Sequence, residues 1–299
     1  MDHEGDESVL SRLARGEGRI GLLVLSGGMR GVYGGGQLAA MEKYNLRNRY
    51  VVNLGISSGA PGVGYSAGGV AWRGHRIYYE ECTTPAYMSG SIRRMIQGTT
   101  IDLDYLCSVF RGDVGSNPID IEAMRACKAD VYVGVTDYET GEGVLIDVKT
   151  ATPDPVAAIH ASIAMPHVYR KPVIVNGRRY LDGTGGMPFP AREMVERWNL
   201  DGLVVLANGP RIRRRSLKRD VLEFCTINLL PPGPRRTSRR RLEVFAENLA
   251  YLREGKTPYL IVSTDDEVKM FDRNPVVLKA AAERGYSHMT ELFTRAGVM

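Results

Sequence analysis

A serine set between two glycines at the end of an apolar run narrows the folds open to this chain. The segment is Val51-Val-Asn-Leu-Gly-Ile-Ser-Ser-Gly-Ala60. Val51 to Leu54 reads as a buried strand, and Ala60 to Ala67 is a small-residue stretch able to start a helix. Between them, Gly55-Ile56-Ser57-Ser58-Gly59 is a G-x-S-x-G sequence in a strand–turn–helix setting, the setting a nucleophile elbow requires. Gly55 and Gly59 let the main chain take a tight turn that lifts the Ser57 hydroxyl above the sheet end. The following helix aims its N-terminal N–H groups at that point, which suits a developing negative charge. By itself this pattern is also compatible with a plain glycine-rich turn.

The flanking sequence argues for an α/β chain. Ile20-Gly-Leu-Leu-Val-Leu25 is continuously apolar, as expected of a strand covered on both faces of a parallel sheet. It ends in Ser26-Gly-Gly-Met-Arg-Gly31 and Val32-Tyr-Gly-Gly-Gly36, ahead of a helix over 37–44. No three glycines there keep the G-x-G-x-x-G spacing of a dinucleotide site. A loop of main-chain N–H groups for an oxyanion fits better, because enzymes with a serine elbow take such donors from an earlier strand-to-helix loop. Further strands are expected at 129–136 and 144–148, joined by a turn at 139–143. A second hairpin over 173–181 turns on Asn176-Gly177 and delivers Asp182-Gly183 at a strand end. Strands at 203–207 and 259–263 and helices at 72–82, 119–127, 152–164, 241–255 and 275–295 complete an alternating order. That order predicts one domain with a mainly parallel sheet. No internal repeat or linker divides it. Residues 1–18 are expected to be a flexible leader, 19–299 a single domain, and 83–118 a helical lid or cap beside the site.

Composition bounds the function. With 299 residues, 43% hydrophobic and 24% charged, the chain fits a globular protein with a sizeable core. No apolar run reaches the length of a membrane span, and the acidic start Met1-Asp-His-Glu-Gly-Asp-Glu7 does not fit a signal peptide. Cys82, Cys107, Cys127 and Cys225 are scattered without C-x-x-C spacing, so no metal or cofactor is expected and a cytoplasmic, reduced setting is. Charge is uneven. Between Arg211 and Arg241 stand eleven Arg/Lys against Asp220 and Glu223, net +9, so the rest of a chain of net +5 carries −4. Such a block is either a solvated face or a contact with an anionic surface, phospholipid or nucleic acid. Nucleic acid is disfavoured, because Phe224 is the block's single aromatic and no binding motif accompanies it.

Four blocks together resemble the patatin-like phospholipase family, the serine lipid acyl hydrolases, in its compact bacterial branch. They are Ser26-Gly27-Gly28-Met29-Arg30-Gly31, Gly55-Ile56-Ser57-Ser58-Gly59-Ala60, Ala161-Ser162-Ile163-Ala164-Met165-Pro166, and Gly177-Arg-Arg-Tyr-Leu-Asp-Gly183 with Pro188 and Pro190 beyond it. The resemblance spans about residues 20–205. It implies a three-layer α/β/α fold and a Ser57–Asp182 dyad without a catalytic histidine. It also implies an oxyanion hole from Gly27, Gly28 and Met29, with Arg30, Gly31, Gly55, Gly59 and Gly183 in support. The activity implied is cleavage of acyl esters in phospholipids or lysophospholipids through an acyl-enzyme, at the periphery of an anionic membrane. Two departures stand out. Leu25 and Ser26 replace the family's acidic residue and first glycine, and Thr184 replaces the second glycine after the aspartate. These favour, as an alternative, a non-catalytic protein of the same fold that binds anionic lipid through its basic face; a general carboxylesterase or thioesterase without membrane preference is a second alternative. A Ser–Asp–His order is met by His288 alone among His3, His75, His160, His167 and His288.

Overall fold

A computed structural model describes residues 3–89, 100–166, 168–169, 171–209, 227–264 and 268–298. In chain order the elements are β1 (His3–Gly5), α1 (Ser8–Arg15), β2 (Ile20–Val24), α2 (Gly31–Lys43), β3 (Val52–Ile56), α3 (Gly59–Gly68) and α4 (Ala71–Glu80). Then follow α5 (Leu103–Arg111), α6 (Ile121–Arg125), β4 (Asp130–Asp137), β5 (Gly143–Asp147), α7 (Pro155–Ile163), β6 (Val173–Val175) and β7 (Arg178–Asp182). The remainder is α8 (Ala191–Trp198), β8 (Gly202–Ala207), α9 (Pro232–Glu254), β9 (Tyr259–Ser263) and α10 (Pro275–Arg295). A 3-10 turn, Gly28–Arg30, joins β2 to α2.

The strands among the described residues form one nine-stranded sheet in the order β1-β9-β8-β2-β3-β4-β7-β6, with β5 also on β4. The five central strands, β9-β8-β2-β3-β4, run parallel, and antiparallel pairs lie at both margins. Side chains alternate between two cores. Leu22, Val24, Val204 and Leu206 enter one, against α2, α3 and α10; Leu23, Leu25, Leu203 and Val205 enter the other, against α8 and α9. Every residue of β2 and β3 is buried, which is why neither run alternates between apolar and polar; the buried Asn53 of β3 is the one polar side chain in them. The result is a sheet between two helical layers.

Three expectations need correction or restriction. Residues 3–18 are not the flexible leader expected. His3 to Gly5 pair with Val262 to Leu260, and α1 buries Val9, Leu10 and Leu13 completely. The acidic start hides this short amphipathic turn. Helix α9 begins nine residues before the expected Arg241, because Pro232 and Pro234 sit in the first turn, where their missing N–H groups cost nothing. Of the expected lid, α5 and the flanking residues up to 89 are described while 90–99 lie outside the described residues. The part of the basic segment from 211 to 226 lies outside them too. Among the described residues no helix is long and apolar enough to cross a membrane.

Candidate active site

Parallel pairing of neighbouring strands brings the site together. Val24 at the end of β2 sits beside Gly55 of β3, and Ile56 beside Gly134 of β4. The antiparallel β7 then places Asp182 opposite Val135. The glycine loop, Ser57 and Asp182 thus emerge from adjacent strands at one edge of the sheet, as open α/β sheets commonly place their ligand sites.

Ser57 has φ +53, a left-handed conformation that a residue with a Cβ adopts only under constraint. The constraint is visible. Its N–H donates to Ser162 Oγ (3.0 Å), and Ser162 Oγ donates in turn to the Gly134 carbonyl (2.7 Å). The elbow glycines are tight: a Cβ on Gly55 or Gly59 would lie 2.5 Å from the Gly59 oxygen or 2.0 Å from the Val24 oxygen. A Cβ on Gly183 would come within 2.1 Å of the Gly134 oxygen, and one on Gly31 within 2.2 Å of the Tyr78 hydroxyl. These glycines therefore let the main chain of β2, β3, β4 and α3 approach closely around Ser57.

Asp182 is 5% exposed and anchored from several sides. Its N–H donates to the Ala164 carbonyl (3.0 Å), and its own carbonyl accepts from Thr136 Oγ1 (2.7 Å). Side-chain Oδ1 accepts the Thr184 N–H (2.8 Å). Thr184 therefore supplies by main chain what a glycine there would supply, so this departure leaves the carboxylate's support intact. Oδ2 has no hydrogen bond of ordinary geometry. The Ser57 hydroxyl is nonetheless near enough to favour the charged form, so the two groups meet loosely, as acid–base pairs often do before substrate tightens them. Burial dominates and holds the carboxyl above the usual carboxylate range; Ser57 and Thr184 pull the other way.

The glycine loop differs from expectation at one donor. Gly28 has φ +61 and opens the 3-10 turn, while Arg30 folds back with Nε on the Gly27 carbonyl (3.1 Å). The Met29 N–H, expected as an oxyanion donor, donates instead to the Met270 carbonyl (3.0 Å). Gly27 and Gly28 remain the loop's candidate donors. Leu25 is buried in the α8–α9 core, and its carbonyl accepts from Asn208 Nδ2 (2.7 Å), so the residue in the acidic position is a packing residue here.

Two cavities meet at this point. A narrow one of about 60 Å³ runs past Ser57 and Gly28 between α4, α5 and Met165, and it is lined almost wholly by apolar groups such as Ile77, Tyr78, Met88 and Leu106. A wider one of about 250 Å³ holds Ser57, Asp182, Thr184, Ser26, Gly27 and Arg30, with Arg241 from α9. Met270 and Phe271 line both. None of His3, His75, His160 or His288 lines either cavity. His288 faces Tyr33 (Nδ1 to hydroxyl, 3.0 Å), and His75 faces Tyr79 (3.1 Å) with burial pushing its pKa down to about 4. The His288 triad therefore does not form, and His167 lies outside the described residues. Among the described residues no cluster of three His, Cys, Asp or Glu is placed to hold a metal ion.

Sequence reasoning gave no role to Ser162, Thr136, Met270 or Phe271. For the first, the signal was its place in the Ala161–Pro166 block, which carried the resemblance without a role for the serine itself. Met270 and Phe271 arrive by tertiary packing and leave no local trace.

No family model and no curated protein matches this sequence. Among solved structures the chain is similar to VipD from Legionella pneumophila, with a TM-score of 0.53 at 12% identity over 94% of this chain and 67% of that one. It also matches ExoU of the type III secretion system of Pseudomonas aeruginosa, solved with SpcU, at a TM-score of 0.42 and 9% identity over 93% of this chain and 52% of that one. The likeness to VipD shows the fold: this chain has the patatin-like α/β fold, with a central sheet between helices.

Proposed function

We propose that this protein is a lipid acyl hydrolase that cleaves ester-linked acyl chains of phospholipids or lysophospholipids through a Ser57–Asp182 dyad. The observation that carries the reading is Ser57, held at φ +53 beside a buried Asp182 where a narrow apolar cavity meets a wider one that also holds Arg30 and Arg241. Ser57 Oγ attacks the ester carbonyl while Asp182 Oδ2 takes the hydroxyl proton. The carbonyl oxygen becomes an oxyanion facing the Gly27 and Gly28 N–H groups, with donors of this kind each lowering a barrier by about 3 kcal/mol. Collapse breaks the ester C–O bond, the proton passes from Asp182 to the leaving alcohol, and the acyl chain stays on Ser57. A water deprotonated by Asp182 then attacks the acyl-enzyme; the acyl C–Oγ bond to Ser57 breaks, Ser57 Oγ takes the proton back from Asp182, and the fatty acid leaves. The raised Asp182 pKa makes it a stronger base than an exposed aspartate. The apolar cavity suits the acyl chain, and the wider one with Arg30 and Arg241 suits a polar head group.

The test is labelling with a fluorophosphonate probe in wild type, Ser57→Ala and Asp182→Asn. The reading requires labelling in wild type, none in Ser57→Ala, and a loss of at least a hundredfold in rate for Asp182→Asn. A folded wild type that resists the probe would falsify it and leave a non-catalytic lipid binder. Short soluble esters turned over far faster than micellar lipids would instead identify a general esterase.

A further inference from the structure

The turn 227–231 and the start of α9 leave large apolar groups in solvent. Leu229 is 77% exposed and Leu242 60%. The turn is not loose. Arg235 donates from Nε (3.2 Å) and Nη2 (2.9 Å) to the Leu230 carbonyl, and Arg239 Nη2 donates to Asn228 Oδ1 (2.7 Å). Arg235, Arg239 and Leu242 follow one another at helical spacing along one flank of α9, so the turn carrying Leu229 is strapped to the flank carrying Leu242. Arg236 and Arg240 are exposed beside them, and Arg240 meets Glu243 (2.9 Å). From 227 to 243 the chain has five arginines and one glutamate, net +4.

This edge borders the reaction cavity. Ile227, Leu230 and Arg241 line the 250 Å³ cavity that contains Ser57 and Asp182. Phe271, 42% exposed, lines the same cavity and marks its opening. Exposed leucines ringed by guanidinium groups match one surface well: the boundary of an anionic bilayer, where phosphates meet arginine and acyl chains meet leucine.

We infer that the 227–231 turn and the first half of α9 form a docking edge for an anionic lipid bilayer. Leu229 and Leu242 insert at the boundary between head groups and acyl chains, and Arg236, Arg239 and Arg240 meet lipid phosphates. A lipid then passes Phe271 into the Ser57 cavity without crossing water. The inference rests on the lipid hydrolase reading for its purpose, but its physical claim is separable.

The experiment uses the full chain carrying Ser57→Ala, co-sedimented with phosphatidylcholine vesicles with and without phosphatidylserine. Binding is expected for the anionic vesicles and should weaken as salt rises. Leu229→Asp with Leu242→Asp should lower partitioning at least tenfold. Each of Arg236→Ala and Arg240→Ala should lower it about fivefold. Leu229→Trp should show an emission blue shift on adding anionic vesicles, which reads insertion directly in a chain whose fold is checked by its melting curve. Equal binding to pure phosphatidylcholine, no effect of the leucine pair, or an unshifted tryptophan each overturns the inference. With Ser57 intact, the leucine variant should lose far more activity on vesicles than on a short soluble ester. A wild type inactive on every ester while Ser57→Ala still docks as described would sink the hydrolase reading and leave the docking edge standing.

Discussion

Asp182 is asked to be buried, charged and basic at once, and its surroundings show how far that is met. Burial raises its pKa above the ordinary 3.8, while the Thr184 N–H and the nearby Ser57 hydroxyl oppose the rise. The sign for stability follows. Below 3.8 the carboxyl is neutral whether the chain is folded or unfolded, and burial carries no charge penalty. As pH climbs from 3.8 through the raised folded value, the unfolded chain releases its proton first and stability is lost. Asp182→Asn should therefore melt higher than wild type at neutral pH, with the gap closing toward pH 3, as thermal melts across that range can show. Activity runs the opposite way: kcat/KM should rise with pH along an acid limb whose midpoint lies above 3.8, and a limb at or below it would count against Asp182 as the base. Ser162 is the second residue on which the elbow depends. Its hydroxyl bonds both the Ser57 N–H and the Gly134 carbonyl, all buried. Ser162→Ala leaves two polar groups unpaired, a cost of about 1–3 kcal/mol in denaturant unfolding. Because the φ of Ser57 is no longer held, kcat should fall at least tenfold with KM nearly constant; unchanged kcat would reduce Ser162 to a packing residue.

At the scale of elements, the segment 268–274 decides what the two cavities are. Its Met270 carbonyl takes the Met29 N–H, and Met270 with Phe271 stands where the narrow and wide cavities meet. The segment is pinned by Arg273 Nη2 on the Met88 carbonyl (3.1 Å), and Asn274 caps α10 through the Val276 N–H (3.0 Å). At about 60 Å³ the apolar cavity is small for a long acyl chain, so long substrates have to push against Phe271. Phe271→Ala should raise kcat/KM for a long-chain ester severalfold relative to a short-chain one. A ratio that stays constant in side-by-side assays would mean the chain lies elsewhere. None of this was readable in the sequence, because the stretch between β9 and α10 has no periodicity and its contacts join residues 185 (Arg273 to Met88) and 241 (Met270 to Met29) positions apart. The elbow was readable for the opposite reason: its strand, turn and glycines are contiguous, and local sterics alone specify them.

Across the whole molecule the sequence was most informative where burial is two-sided and least where it is one-sided and short. Strands β2 and β8 are unbroken apolar runs, and β3 is apolar but for the buried Asn53, because a helical layer covers each face, and their positions were readable to within a residue or two. The Asn176-Gly177 hairpin was equally plain, since both residues take positive φ, +50 and +76. The N-terminal segment was misread because eight helical residues flanked by acids resemble a tail until the groove that receives them is seen. In the fold, α1 packs on β8, and β1 adds an antiparallel strand to β9 at the margin of the sheet. Ser11 Oγ donates to the Ala296 carbonyl and Arg295 meets Glu7 (3.1 Å), tying α1 to the end of α10, while Arg253 of α9 grips Glu4 through Nε (2.7 Å) and Nη2 (2.8 Å). The weight of that attachment rests on the apolar side chains, since exposed ion pairs contribute little. Leu10 and Leu13 are fully buried, and truncating either to alanine should cost about 2–5 kcal/mol, from lost transfer free energy and the cavity left behind. Because α1 is not part of the Ser57 site, the effect should be on stability alone. Leu13→Ala should unfold at clearly lower denaturant yet label with fluorophosphonate at the wild-type rate while folded. If the variant unfolds where wild type does, residues 1–18 are dispensable after all, and the core ends at β9.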